Sequence, residues 1–193
     1  MLFRSPAQRV AVAALFQEGR APMTLLLWCS YICGITCLQF MTNWLPTLIS
    51  GAGVALSLAV ITGSLFHVGG TFGNVVIGWL IDRKGIFMIA VGFFIAAPVV
   101  ALMGPASVTL PTLMVAVFIA GFFIVGSQNG LNATGAMVYP TWMRATGAGW
   151  NTGVGRGGSI VGPILGGYLI SLNMPISTLF LCVTAPLLLD RKS

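Results

Sequence analysis

Long apolar runs alternate with short polar junctions along most of this chain. Six runs stand out, at roughly 23–49, 53–81, 86–104, 108–132, 146–172 and 174–189. Crossing the hydrocarbon of a bilayer takes about 20 helical residues, and every run but the last meets that length. The last run, of about 16 residues rising 1.5 Å each, reaches only about 24 Å. It contains Pro186 and stops at Asp190-Arg191-Lys192-Ser193, so a premature end of the chain is expected. Backbone groups in lipid must be satisfied within the segment, which leaves helices or closed barrels. Barrel strands would alternate apolar and polar positions, and no such alternation runs through these segments. The pattern predicts an all-α membrane protein with six transmembrane helices over residues 23–193.

Residues 1–22 form a separate cytoplasmic segment. Residues 10–16 are apolar, with Arg4 and Arg9 before them and Arg20 after. That arrangement predicts a short helix lying at the membrane interface. Gln17-Glu18-Gly19-Arg20 follows where a signal peptide would carry a small-residue cleavage site. Pro22 suits the first turn of the first spanning helix.

Charge then sets the orientation. Eight of the nine basic residues lie at alternate ends of the runs, and Arg83, Lys84 and Arg144 occupy the second and fourth junctions. The first, third and fifth junctions carry none. Cytoplasmic loops are the ones enriched in Lys and Arg, so both termini are expected inside a cell's inner (plasma) membrane. Charged residues make up 6% of the chain, against about 25% in a soluble domain, so a water-facing surface is excluded. The net charge of +6 is scattered singly at helix ends, and without a basic stripe it does not point to nucleic acid.

The ninth basic residue, Arg156, lies inside the fifth run, in the sequence Gly149-Trp150-Asn151-Thr152-Gly153-Val154-Gly155-Arg156-Gly157-Gly158. A buried arginine costs at least about 2.5–3.5 kcal/mol on insertion scales and cannot escape by deprotonation. Glu18, Asp82 and Asp190 all fall at membrane boundaries, so an internal salt bridge has no partner here. A substrate or another polypeptide is expected to supply the counter-charge; carbonyls and water are the alternative. Gly149, Gly153 and Gly157 make one row at four-residue spacing, and Gly158, Gly162 and Gly166 another. Such rows let helices approach closely.

Other polar residues in the runs are candidates of lesser weight. Gln39 and Asn43 share a helix face, as do Gln128 and Asn132; the second pair is either helix glue or part of a cavity. Trp44 is an interfacial anchor or a cavity wall. His67 and Asn74, seven residues apart, face one way. His67 is either a proton-carrying group or a neutral histidine hydrogen-bonded inside the bundle. Cys29, Cys33 and Cys37 recur every fourth residue. Without a nearby His or carboxylate they read as small packing residues, and neither a metal site nor a cofactor is expected. No nucleophile–base pair or paired carboxylates lie at membrane depth, so an enzyme is not expected.

Two stretches carry a family resemblance. Gly78-Trp79-Leu80-Ile81-Asp82-Arg83-Lys84-Gly85 resembles the Gly-x-x-x-Asp-Arg-x-Gly loop of the major facilitator superfamily. Tyr139-Pro140-Thr141-Trp142-Met143-Arg144-Ala145-Thr146-Gly147, with Gly149-Trp150 and Gly153-Val154-Gly155-Arg156, is similar to the eleventh-helix region of its aromatic acid:proton symporters. Leu25-Leu26-Leu27-Trp28 and Asn43-Trp44-Leu45-Pro46-Thr47-Leu48 resemble that family's seventh helix. The resemblance implies the carboxy-terminal half of a twelve-helix fold. It implies Gly78, Asp82, Arg83 and Gly85 in a cytoplasmic gating loop, Arg156 facing a central cavity, and Gln128, Asn132, Gln39 and Asn43 as further cavity residues. It also implies a small aromatic carboxylate as cargo, the proton as coupling ion, and coupling residues outside this chain. The glycine-rich second and fifth runs would face a missing amino-terminal half or a second copy. An inactive truncated transporter, or a half carrying another organic anion, is the alternative.

Overall fold

The computed structural model describes residues 12–17, 19–51, 53–103 and 109–171. A short 3-10 helix, Val12–Phe16, leads into five α-helices: α1 (Ala21–Gly51), α2 (Leu56–Lys84), α3 (Phe87–Ala101), α4 (Leu110–Val138) and α5 (Arg144–Ser171). Each follows one of the first five apolar runs. The sixth run lies outside the described residues. Helices α1, α2 and most of α4 are long and apolar enough to cross a membrane. At 15 residues, α3 spans about 22 Å, less than the roughly 30 Å of a hydrocarbon core. α5 has the length, but its glycines and Arg156 dilute its apolar character.

α1 shows how a nearly all-apolar helix still chooses an inner face. Leu27, Tyr31, Gly34, Cys37, Met41, Leu45 and Leu48 are buried at three- or four-residue spacing, the stripe a 3.6-residue period turns to one side. Large apolar residues off such stripes, among them Phe72, Val75, Phe87, Ile160 and Ile164, are exposed. A soluble protein would hide them; here the bilayer takes that role.

Two glycine-lined contacts dominate the packing. α2 lies against α4 with Gly69 and Gly73 facing the carbonyls of Phe118 and Phe122, while Gly121 of α4 faces the carbonyl of Phe66. A methyl at any of the three would strike backbone. α5 lies against α1 in the same manner. A Cβ at Gly158 would come 2.6 Å from the Ile32 carbonyl oxygen, and one at Gly162 2.8 Å from that of Thr36. Gly166 receives the Trp44 indole, whose Nε1–H donates to the Pro163 carbonyl at 3.1 Å. Trp44 is therefore half-buried between helices rather than a free interfacial anchor.

The glycine-rich faces of the second and fifth runs are thus largely occupied inside this chain. Gly149, Gly153 and Gly157 are the row left open, with no neighbouring atom of the described residues within 4 Å.

The entry segment packs onto the start of α1. Leu15 is fully buried, and its carbonyl accepts a bond from Thr24 Oγ1 at 3.0 Å. Tyr139, after α4, donates in turn to Thr24 at 3.3 Å.

Candidate functional site

Arg156 lies near the middle of α5, and its side chain is exposed on the surface of this helical layer. The reason lies in the helix geometry: Gly155, Gly158, Gly162 and Gly166 face α1, and Arg156 stands roughly 100° round from Gly155. Beside it run the open glycines 153 and 157. The neighbouring hydroxyls turn back on the helix: Ser159 Oγ donates to the Arg156 carbonyl at 2.7 Å and Thr152 Oγ1 to that of Ala148 at 3.0 Å. Among the described residues the guanidinium has no side-chain partner, and Asp82, the one acid among them, sits at the end of α2.

On the other side of Gly155 the Tyr31 ring fills the space where a side chain would stand. Tyr31 is buried, and its hydroxyl bonds Asn132 Oδ1 on α4. Asn132 Nδ2 donates to Asn129 Oδ1 at 3.3 Å, and Asn129 Nδ2 donates to Asn74 Oδ1 on α2 at 2.8 Å. One hydrogen-bonded chain thus joins α1, α4 and α2, with its three amides exposed. Polar groups open to hydrocarbon are costly, so three amides together suit a water-lined passage.

The other candidates spread out. Gln128 and Asn132 share a helix face but not a fate: Gln128 is 3% exposed, its amide oxygen pushed into the space beside Gly34, with neither amide atom hydrogen-bonded. Asn43 Nδ2 donates to the Gln39 carbonyl at 2.7 Å, within its own helix, and Gln39 lies half-buried with its Cβ against Gly162. His67 is exposed on α2, its ring edge-on to Phe66 at 5.6 Å. Asn74 is held by Asn129 and not by His67.

An unsatisfied buried amide weakens a fold more than an apolar group of the same shape. Gln128→Met is therefore expected to raise stability by about 1 kcal/mol, read as a higher unfolding temperature in detergent.

The junction after α2 ends sharply. Gly85 has φ +83°, a left-handed conformation that glycine adopts without strain, and its N–H closes on the Ile81 carbonyl at 2.8 Å. Asp82, Arg83 and Lys84 are exposed, and Arg83 lies 4.3 Å over the Trp79 ring. Gly78 has open space beside it.

The cysteine file winds round α1, from exposed Cys29 through half-buried Cys33 to buried Cys37. Four-residue steps overshoot a 3.6-residue turn. Among the described residues, no three His, Cys, Asp or Glu side chains gather as a metal site.

Sequence reasoning missed Tyr31 and Asn129. A tyrosine among apolar residues reads as core, and only the opposing helix shows where its hydroxyl goes. It also missed the Trp28–Trp150 stack, with centroids 6.1 Å apart, which Phe16 abuts edge-on at 5.5 Å.

The family profile described as Major Facilitator Superfamily matches residues 2–163. Over 173 residues the chain is 36% identical to a gallate transporter of Pseudomonas putida, covering 89% of this chain and 38% of that protein. It is 36% identical over 174 residues to a 4-hydroxybenzoate transporter of Acinetobacter baylyi, covering 89% and 38%. A benzoate transport protein of the same organism is 34% identical over 178 residues, covering 92% and 38%. The chain thus spans well under half the length of these curated relatives, all of which are transporters rather than enzymes. The chain belongs to the major facilitator superfamily.

Proposed function

We propose that this chain is the carboxy-terminal half of a proton-coupled importer of benzoate-like carboxylates. It would work by alternating access around a site near the membrane midplane. Arg156 carries the reading: a permanent cation at mid-helix, open on its chain and without a side-chain partner among the described residues. A planar guanidinium matches a carboxylate through two parallel hydrogen bonds. The cargoes in the names of the relatives share an aromatic ring bearing a carboxylate. Asn132, Gln39 and Asn43 would line the same passage, with Gln128 behind them in the packing.

Asp82, Arg83, Gly78 and Gly85 would form the cytoplasmic gate, and the His67–Asn74 side of α2 a polar relay. Open Gly149, Gly153 and Gly157 favour close contact with another six-helix half or a second copy. Arg83, Lys84 and Arg144 favour the plasma membrane with both termini inside.

The 38% coverage of the relatives favours a second reading, a segment without transport of its own. Uptake into liposomes under an imposed proton gradient separates the two, comparing 4-hydroxybenzoate with its uncharged amide. Proton-dependent uptake of the acid alone supports transport by this chain. Activity that appears only when an amino-terminal half is supplied supports a half-transporter. Equal uptake of acid and amide discards the carboxylate site.

A further inference from the structure

Tyr31, Asn132, Asn129 and Asn74 form a connected hydrogen-bond chain that Arg156 does not enter. Its members come from three helices, and its three amides are exposed, where contact with lipid would be costly. The bonds leave capacity unused: each linked amide keeps a second N–H and a second lone pair, and both N–H groups of Asn74 are free of partners among the described residues. Donor and acceptor atoms therefore alternate along one open edge. A carboxylate only accepts and can use the N–H groups of such an edge alone; a phenolic hydroxyl both donates and accepts, and uses both halves of it. The Tyr31 ring lodges on Gly155, so the amide edge begins one helix away from the guanidinium.

We propose that Tyr31, Asn132, Asn129 and Asn74 form the subsite for a ring hydroxyl, selecting hydroxylated aromatic acids over benzoate. The inference rests on the carboxylate reading of Arg156 above. The carboxylate is held by charge, and the hydroxyl bridges neighbouring amides, its proton going to an Oδ1 and its oxygen taking an Nδ2–H. The amides are open to water, so a bare ring leaves them solvated rather than orphaned. Discrimination is then about 10-fold, the worth of one net hydrogen bond, rather than the 10⁴ or more that a sealed site gives.

Competition by unlabelled 4-hydroxybenzoate and benzoate is measured in cells expressing the chain in its complete transporter. The expected preference for 4-hydroxybenzoate is about 10-fold, falling to about 2-fold or less in Asn129→Leu and Asn132→Leu, with benzoate affinity changed by less than about 2-fold in Asn129→Leu. Tyr31→Phe keeps the ring on Gly155 and is expected to lower the preference by about 3-fold; it guards against a leucine variant that misfolds. A wild type without preference, or a preference that survives all three substitutions, overturns the hydroxyl subsite and leaves the carboxylate reading intact. Equal loss of both acids in all three variants also overturns it, by making the network structural. Uptake of neither acid by the wild type rejects the aromatic-acid reading itself, and the subsite with it.

Discussion

Arg156→Ala is expected to lower uptake of an aromatic acid by about 100-fold or more at sub-saturating concentration. Removing one partner of a hydrogen-bonded charge pair in a desolvated site costs about 2–5 kcal/mol, and each 1.4 kcal/mol is tenfold. The insertion and packing of the chain should not change, because the side chain is exposed and holds no partner among the described residues. The Ser159 hydroxyl bonds the Arg156 backbone carbonyl, which alanine keeps. Arg156→Lys preserves the charge but loses the planar fork, so a loss of about 10-fold is expected. Initial rates normalised to the amount of protein in the membrane read both effects. Wild-type rates in the alanine variant would remove Arg156 from the site.

Gly73→Leu is expected to prevent assembly of the bundle. Even a methyl at this position collides with the Phe122 carbonyl, and backbone cannot swing aside as a flexible side chain can. Overpacking costs about 1–3 kcal/mol for small excesses, and an isobutyl group facing backbone belongs at the upper end or beyond. Gly121→Leu, against the Phe66 carbonyl from the opposite helix, should behave alike. Gly153→Leu provides the contrast, since nothing among the described residues lies within 4 Å of it. Detergent extraction followed by size-exclusion chromatography should show aggregate for the first two and a wild-type peak for the third. A monodisperse Gly73→Leu protein would mean that α2 and α4 sit farther apart than described.

These outcomes bear on what a sequence can show of such a protein. Hydropathy located α1 to α5 to within a few residues, except at the end of α4, where the helix continues to Val138. That continuation includes Thr134 and Gly135, residues an apolar threshold discards. Arg156 was legible because a lone charge in an apolar run has few explanations. The partners of the glycines were not. Rows at four-residue spacing mark a face for close contact, yet nothing local distinguishes Gly158, which meets α1, from Gly157, which meets open space. Neighbouring positions differ by about 100° of rotation, and only the packed neighbours reveal which angle is inward. Gln128 and Asn132 carry the same lesson. Shared periodicity predicted a shared environment, but Gly34 gave one amide a burial place and Tyr31 gave the other a partner.

The α2–α4 contact also constrains how this bundle can move. Glycines from both helices meet the opposing main chain, so the two mesh like toothed racks, with peptide units as the teeth. A slide of a fraction of a turn would ride carbonyl over carbonyl, and no rotamer change is available to absorb it. Large displacements should therefore carry α2 and α4 as one body, with bending left to the ends where the teeth run out.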